Sequence, residues 1–200
     1  MSDLRADLVN YLRQLSEEEP VLILDRSLSP LNLTENDRRR DELKELELKV
    51  STCTRCELAA TRLNVVFGVG DPHARLMFIG EAPGADEDRQ GEPFVGRAGK
   101  LLTKMIRAMK MQRSEVYIAN ILKCRPPGNR DPRPEEAAAC LPYLKGQIDL
   151  IKPHVIVALG KVAAVKLLNI QANVSLKSLR GRVFNYDTRP LIVTYHPAAL

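Results

Sequence analysis

The sequence predicts an α/β fold in which a parallel β-sheet is covered by helices on both faces, with a helical extension at the N-terminus. Three observations predict it. Four short apolar runs, at residues 76–79, 116–119, 155–159 and 191–195, show little alternation, as strands buried on both faces do. Helical patterns at residues 99–109 and 134–151 separate the first three runs, and another at 161–168 comes after the third. Each run also passes directly into polar or glycine-bearing residues, the signature of strand ends that open onto a crevice.

From the N-terminus, Leu4, Leu8, Leu12 and Leu15 repeat at helical spacing until Pro20, and the chain then passes through a stretch with Ser27, Ser29, Pro30 and Asn32. Residues 1–36 are therefore expected to be a helix and linker, and residues 37–200 a single domain. The plain reading of the extension is an appendage; docking of a replication or repair partner is the alternative. A second helix is expected over residues 35–50, with Leu43, Leu46 and Val50 on one face and Arg38, Arg39 and Arg40 in solvent. It delivers the chain to Cys53.

No run approaches 18 apolar residues, and the first twenty residues mix charges with leucine, so neither a membrane span nor a secretory leader is expected. A soluble, cytoplasmic, monomeric protein is the expectation. With 30 Lys and Arg against 25 Asp and Glu the net charge is +5, and the excess lies beyond residue 40, where 24 basic side chains face 17 acidic ones. Such an excess points weakly to a polyanionic partner.

Four cysteines stand in the chain. Cys53 and Cys56 form a C-x-x-C pair, whereas Cys124 and Cys140 are separated by 15 residues. Four thiolates are the full complement for tetrahedral zinc or for a cubane cluster. Zinc sites more often use two close pairs, so the spacing favours iron and sulfur over zinc without excluding it. Cys140, in EEAAACLPYL, also suits a buried helix face, but Cys124 lies in the polar loop KCRPPGNRDP, with no apolar face to join.

The strand ends gather the remaining polar candidates. GEAPGADED comes directly after the first run, Asn120 ends the second, Gly160 ends the third and His196 the fourth. Residues distant in sequence are thereby expected at one crevice.

Taken together, TCTRCELAATR, VVFGVGDPHARLMFIGEAPGADEDRQGEPFVGRAGKLL, YIANILKCRPPGNRDPRPEEAAAC, ALGKVAA and TYHPAAL resemble the family 4 uracil-DNA glycosylases over residues 50–200. The resemblance implies a three-layer α/β/α fold around a four-stranded parallel sheet, hydrolysis of the bond between uracil and deoxyribose in DNA, and a [4Fe-4S] cluster on Cys53, Cys56, Cys124 and Cys140. Members of that family usually continue past the histidine motif, whereas this sequence stops at Leu200.

Such chemistry needs a base flipped out of the stack, a ring stacked on it, a partner for its Watson–Crick edge and a donor for the charge it carries away. The resemblance implies Phe94 as the stacking ring, Asn120 as the edge reader, and the turn of Gly80, Ala82 and Gly84 as a source of backbone amides. A carboxamide offers the donor and acceptor that uracil O4 and N3–H require. His196 is expected to donate to uracil O2. Ala82 occupies the place of an aspartate that orients water in better-known glycosylases, so Glu87, held by Asn129, is expected to position the water, or else to exclude the thymine methyl; Glu81 supports the turn or the base. Lys123, Arg125, Arg130 and Arg133 are read as phosphate contacts, and His73 and His154 as structural. Two rivals from the same superfamily are a damage-binding module without catalysis, which Ala82 keeps open, and a covalent trap, against which the loop RPPGNRDP speaks because it lacks a histidine.

Overall fold

The structure is a computed structural model and describes residues 33–200. The leucine-patterned segment before Pro20 and the linker after it lie outside the described residues. The first described helix, α1 (Leu33–Ser51), starts slightly earlier than its apolar pattern predicts, so the division at residue 36 falls inside it. Leu43 and Val50 are buried against the main core, with Leu46 packed beside them. The Cys53 amide donates to the Val50 carbonyl at 3.0 Å, which turns the chain off the helix toward the cysteine site.

The sheet contains β1 (Val69–Gly70), β2 (Leu76–Gly80), β3 (Tyr117–Asn120), β4 (Val155–Leu159), β5 (Val183–Tyr186) and β6 (Arg189–Thr194), in the order β1-β3-β2-β4-β6-β5. The four apolar runs supply β3, β2, β4 and β6, which pair parallel to one another. Two antiparallel edges bring the total to six: β1 on β3 and β5 on β6. Neither edge announces itself in the sequence. β1 is two residues long, and β5 alternates exposed and half-buried positions because only one of its faces is covered.

Helices cover both faces. Met77, Ile79, Ala119, Ile156 and Ala158 belong to a core shared with α1, α4 (Pro134–Ile151), α5 (Lys161–Leu168) and α6 (Leu176–Leu179). The intervening residues Phe78, Ile118 and Val157 pack on the opposite face with Leu102 and Ile106 of α3 (Arg97–Ala108). This alternation is the strand period of two, and it explains the unbroken apolar runs. Burial of a side chain such as Leu102 contributes about 1.5–3 kcal/mol. A short helix, α2 (Ala85–Gln90), leaves the turn after β2.

Register decides where the site forms. Gly80 pairs with Asn120 and Leu159 with Thr194, so the carboxyl ends of β2, β3, β4 and β6 lie level. The segments leaving those ends meet at one edge of the sheet.

Candidate active site

A cavity of about 330 Å³ opens at that edge, lined by Glu81, Ala82, Gly84, Glu87, Phe94, Asn120, Asn129 and His196. Gly80 lies at its base, where a Cβ would overlap both the Asn120 carboxamide oxygen and the edge of the Phe94 ring. All nine candidate residues outside the cysteine set are thus brought together. Pro83, Ala98, Pro126, Arg130 and Ala198 also contribute to the walls and were not among the sequence candidates for the pocket.

Phe94 is held in the left-handed region, with φ of 54°, an unusual backbone for an aromatic residue. The bend is accommodated because Gly99 packs directly on the Phe94 peptide, where any side chain would overlap the Phe94 carbonyl. The Arg113 guanidinium donates to the carbonyl of Pro93 immediately before it. The Phe94 ring then faces His196, with centroids 5.5 Å apart and planes inclined by 32°.

Asn120 is 2% exposed, and its Oδ1 is buried with no hydrogen-bond partner. Buried polar atoms are nearly always partnered, so an orphaned acceptor in a cavity wall is an acceptor available to something that enters. On His196, Nδ1 accepts the backbone N–H of Ala198 at 3.1 Å. In the neutral ring this leaves the proton on Nε2, which makes that nitrogen a donor. Burial lowers the His196 pKa from its usual value, opposed by the Glu87 carboxylate, so the neutral form is favoured. The motif His196-Pro197 carries a signal for this arrangement, since the proline starts a tight turn that returns the Ala198 amide to the ring.

The two carboxylates differ. Glu87 Oε1 accepts from the amides of Val95 at 2.9 Å and Gly96 at 3.0 Å, and Oε2 from the amide of Gly84 at 3.2 Å. It ties the turn after β2 to the loop that carries Phe94, and it occupies the Gly84 amide that the sequence had offered to the base. Asn129 is oriented by Arg125, whose Nε donates to Asn129 Oδ1 at 2.8 Å, in place of the expected pairing with Glu87. Glu81, half-buried in the cavity wall, has its pKa raised by burial and, less strongly, by the Asp131 carboxylate.

The basic residues after β3 require a correction. Lys123 is 1% exposed, and its ammonium donates to the Asn120 carbonyl at 2.9 Å and to Gln147 Oε1 at 2.5 Å, which removes it from any phosphate. Arg130 makes a two-pronged pair with the buried Glu136, which also accepts the Arg133 amide, and Arg133 pairs with Glu57. These arginines first of all hold the loop 125–133 onto α4 and onto the segment just beyond the C-x-x-C pair.

Cys124 and Cys140 are buried and Cys53 and Cys56 half-buried. Cys56 and Cys140 both act electrostatically on Cys124, and Cys53 and Cys56 on Cys140, so the four thiols face a common region. Burial pushes the Cys124 thiol up to about 11, opposed by Arg62, whose guanidinium donates to Cys124 Sγ at 3.4 Å and to the Cys53 carbonyl at 2.7 Å. The Tyr143 hydroxyl donates to Cys53 Sγ at 3.2 Å. Among the described residues no three potential ligands are grouped as a single metal ion requires.

Comparison with known proteins fits this geometry. The family model described as the uracil DNA glycosylase superfamily matches residues 67–200. The chain is 44% identical over 166 residues to the type-4 uracil-DNA glycosylase of Archaeoglobus fulgidus, covering 80% of this chain and 83% of that protein. It is 46% identical over 163 residues to the type-4 uracil-DNA glycosylase of Thermotoga maritima, covering 80% and 84%. A type-5 uracil-DNA glycosylase of Pyrobaculum aerophilum is 32% identical over 146 residues, covering 66% of this chain and 64% of that protein. With the family model spanning the whole sheet and the pocket, this chain belongs to the type-4 uracil-DNA glycosylases, enzymes that release uracil from DNA.

Proposed function

We propose that the cavity at the ends of β2, β3 and β6 receives uracil flipped out of DNA, and that each wall has one task. Phe94 stacks on the ring. Asn120 reads its edge, accepting from N3–H through Oδ1 and donating to O4 through Nδ2, a pattern mismatched to cytosine. The orphaned Oδ1 of Asn120 is the observation that carries this reading. His196 Nε2–H donates to O2, where negative charge accumulates as the bond between N1 and the sugar breaks, and a neutral donor suits an anion forming in a dry cavity. Amides of the turn beyond Gly80, that of Ala82 foremost, act as second donors to these same oxygens, each of which has two lone pairs.

A water must then add to the sugar carbon that uracil leaves. Of the two carboxylates, Glu81 is the better placed to position it, because Glu87 is engaged by three backbone amides. Glu81 also sets negative charge beside the cationic sugar, and Asn129, which lines the same cavity, confines the water. Glu87 keeps Gly84 and the Phe94 loop together.

The donor set of Cys53, Cys56, Cys124 and Cys140 fits a [4Fe-4S] cluster: four thiols, two of them buried, converging with Arg62 beside them to offset thiolate charge. When bound, the cluster supplies rigidity, because hydrolysis of an N-glycosidic bond transfers no electron. These side chains would tie the segment after α1, the loop 125–133 and α4 into one frame behind Asn120. The same reading makes residues 37–200 the catalytic unit of a monomer acting in the cytoplasm, with residues 1–36 outside it, either as an appendage or as the docking segment for a replication or repair partner.

The test is direct. DNA carrying one uracil is incubated with wild-type protein and with Asn120→Ala, and abasic sites are counted in a single turnover. Wild-type cleavage by the variant removes Asn120 from the pocket.

A further inference from the structure

We infer that Lys123, braced by Gln147, is a positioning residue for uracil recognition, acting through the backbone of Asn120. The inference rests on the proposed role of Asn120 and adds what aims it.

Lys123 stands three residues beyond Asn120, fully enclosed by protein, and its ammonium donates to the Asn120 carbonyl at 2.9 Å. It donates as well to Gln147 Oε1 at 2.5 Å. Gln147, itself wholly buried on α4, donates through Nε2 to the Phe67 carbonyl at 3.0 Å and to the Tyr117 hydroxyl at 3.2 Å. The ammonium thus sits between the last peptide of β3 and a glutamine clamped at both ends of its amide. Enclosing an ammonium is costly unless its donors are met, and an aliphatic side chain would fill the same volume without that cost. A nitrogen retained at this place has work to do on what it bonds, and what it bonds is the peptide of the base reader.

The need for such a brace arises from Asn120 itself. Its Oδ1 has no partner, so hydrogen bonding at that atom does not aim the carboxamide. Its direction comes from its backbone and from contact with Gly80 and Phe94. The Lys123 bond fixes the peptide plane on the carboxyl side of Asn120. A shift of the order of 1 Å at a substrate-positioning group can cost about 10²-fold in rate. Lys123 also precedes Cys124, and Gln147 lies seven residues after Cys140, two turns along the same helical face. The brace therefore spans from the cysteine site to the base-reading strand end, which gives the rigid frame a route to specificity.

The experiment uses the full-length holoprotein with Lys123→Met, Lys123→Gln, Asn120→Ala and the Lys123→Met/Asn120→Ala double variant. Iron content and melting temperature are recorded on each preparation. Lys123→Met is expected to slow single-turnover release of uracil about 10- to 100-fold per folded molecule, with affinity for DNA bearing an abasic site unchanged, since no base is read there. Lys123→Gln, which keeps a donor, should recover most of the rate. In the Asn120→Ala background Lys123→Met should have no further effect, because the group it aims is gone. An unchanged rate for Lys123→Met, or an equal loss with and without Asn120→Ala, overturns the inference. If Asn120→Ala itself cleaves like wild type, the reading of the pocket fails first. Should Lys123 variants not fold, Gln147→Leu removes the brace with the ammonium in place and is expected to show the same dependence on Asn120.

Discussion

His196 Nδ1 accepts the backbone N–H of Ala198 at 3.1 Å, while the ring faces Phe94 at 5.5 Å. Two neighbours therefore fix this side chain: one sets its tautomer and the other its tilt. A histidine serving only to pack the strand end would have no need for a defined donor nitrogen.

His196→Ala is expected to lower the single-turnover rate by about 10²–10³, the loss typical of one donor to a developing anion. Binding of uracil-containing DNA should fall much less, because phosphate contacts do not involve the ring. Rate and melting temperature measured on one preparation separate this from a packing role, for which stability would fall and the rate per folded molecule would stay.

Asn120→Asp is expected to weaken uracil release, since an ionised carboxylate cannot donate to O4 and meets it with like charge. Release of cytosine should gain slightly. Uracil kinetics equal to wild type would show that another group reads the edge.

Much of this site is legible in the sequence because strands buried on both faces announce themselves as unbroken apolar runs, and the segments leaving their carboxyl ends must converge. That reasoning places Asn120, His196 and the turn after Gly80 correctly at one edge. It misses the features that depend on a partner distant in sequence. Lys123 reads as a surface cation until Gln147, 24 residues away, is seen to enclose it. Glu87 reads as a free carboxylate until the amides of Val95 and Gly96 are found on it. The edges β1 and β5 carry too few residues or too little burial to leave a pattern.

Cys124→Ser should yield a poorly folded protein with reduced iron, because Cys124 anchors the loop that reaches Pro126 and Asn129 in the pocket wall. Wild-type protein prepared without oxygen is expected to be brown, with broad absorption at about 400 nm, as thiolate-bound iron–sulfur clusters are. A colourless preparation with one zinc and no iron per chain would falsify the cluster assignment.

Gly80→Ala tests the cavity without touching a reacting group. The added methyl overlaps the Asn120 oxygen and the Phe94 ring, so the variant should lose nearly all cleavage of uracil while keeping its affinity for abasic DNA. Retained cleavage would place the base elsewhere than between these two side chains.

The final prediction concerns pH. Burial raises the Glu81 pKa and lowers that of His196, and the signs act differently on rate and on stability. For rate, Glu81 must be ionised and His196 neutral, so activity falls as acid protonates either, and the acid limb should lie above the usual carboxylate value of about 4.3. For stability, a raised folded-state pKa means that the Glu81 contribution is present below its unfolded value and is lost as pH rises through the folded one. The lowered His196 pKa works in reverse, with stability present above the unfolded value of about 6.5 and lost as pH falls through the folded one. Near pH 7.5 the wild type therefore carries an ionised, partly desolvated Glu81 beside Asp131 at a cost to its fold. Glu81→Gln removes that charge, and it is expected to raise the melting temperature at pH 7.5, with no gain at pH 4. The same variant should lose most of its rate and the Glu81 part of the acid limb, leaving the part that His196 sets. A variant that gains stability at neutral pH and still cleaves uracil at the wild-type rate would mean that Glu81 is a passive wall residue, and the water would have to be held by Glu87 after all.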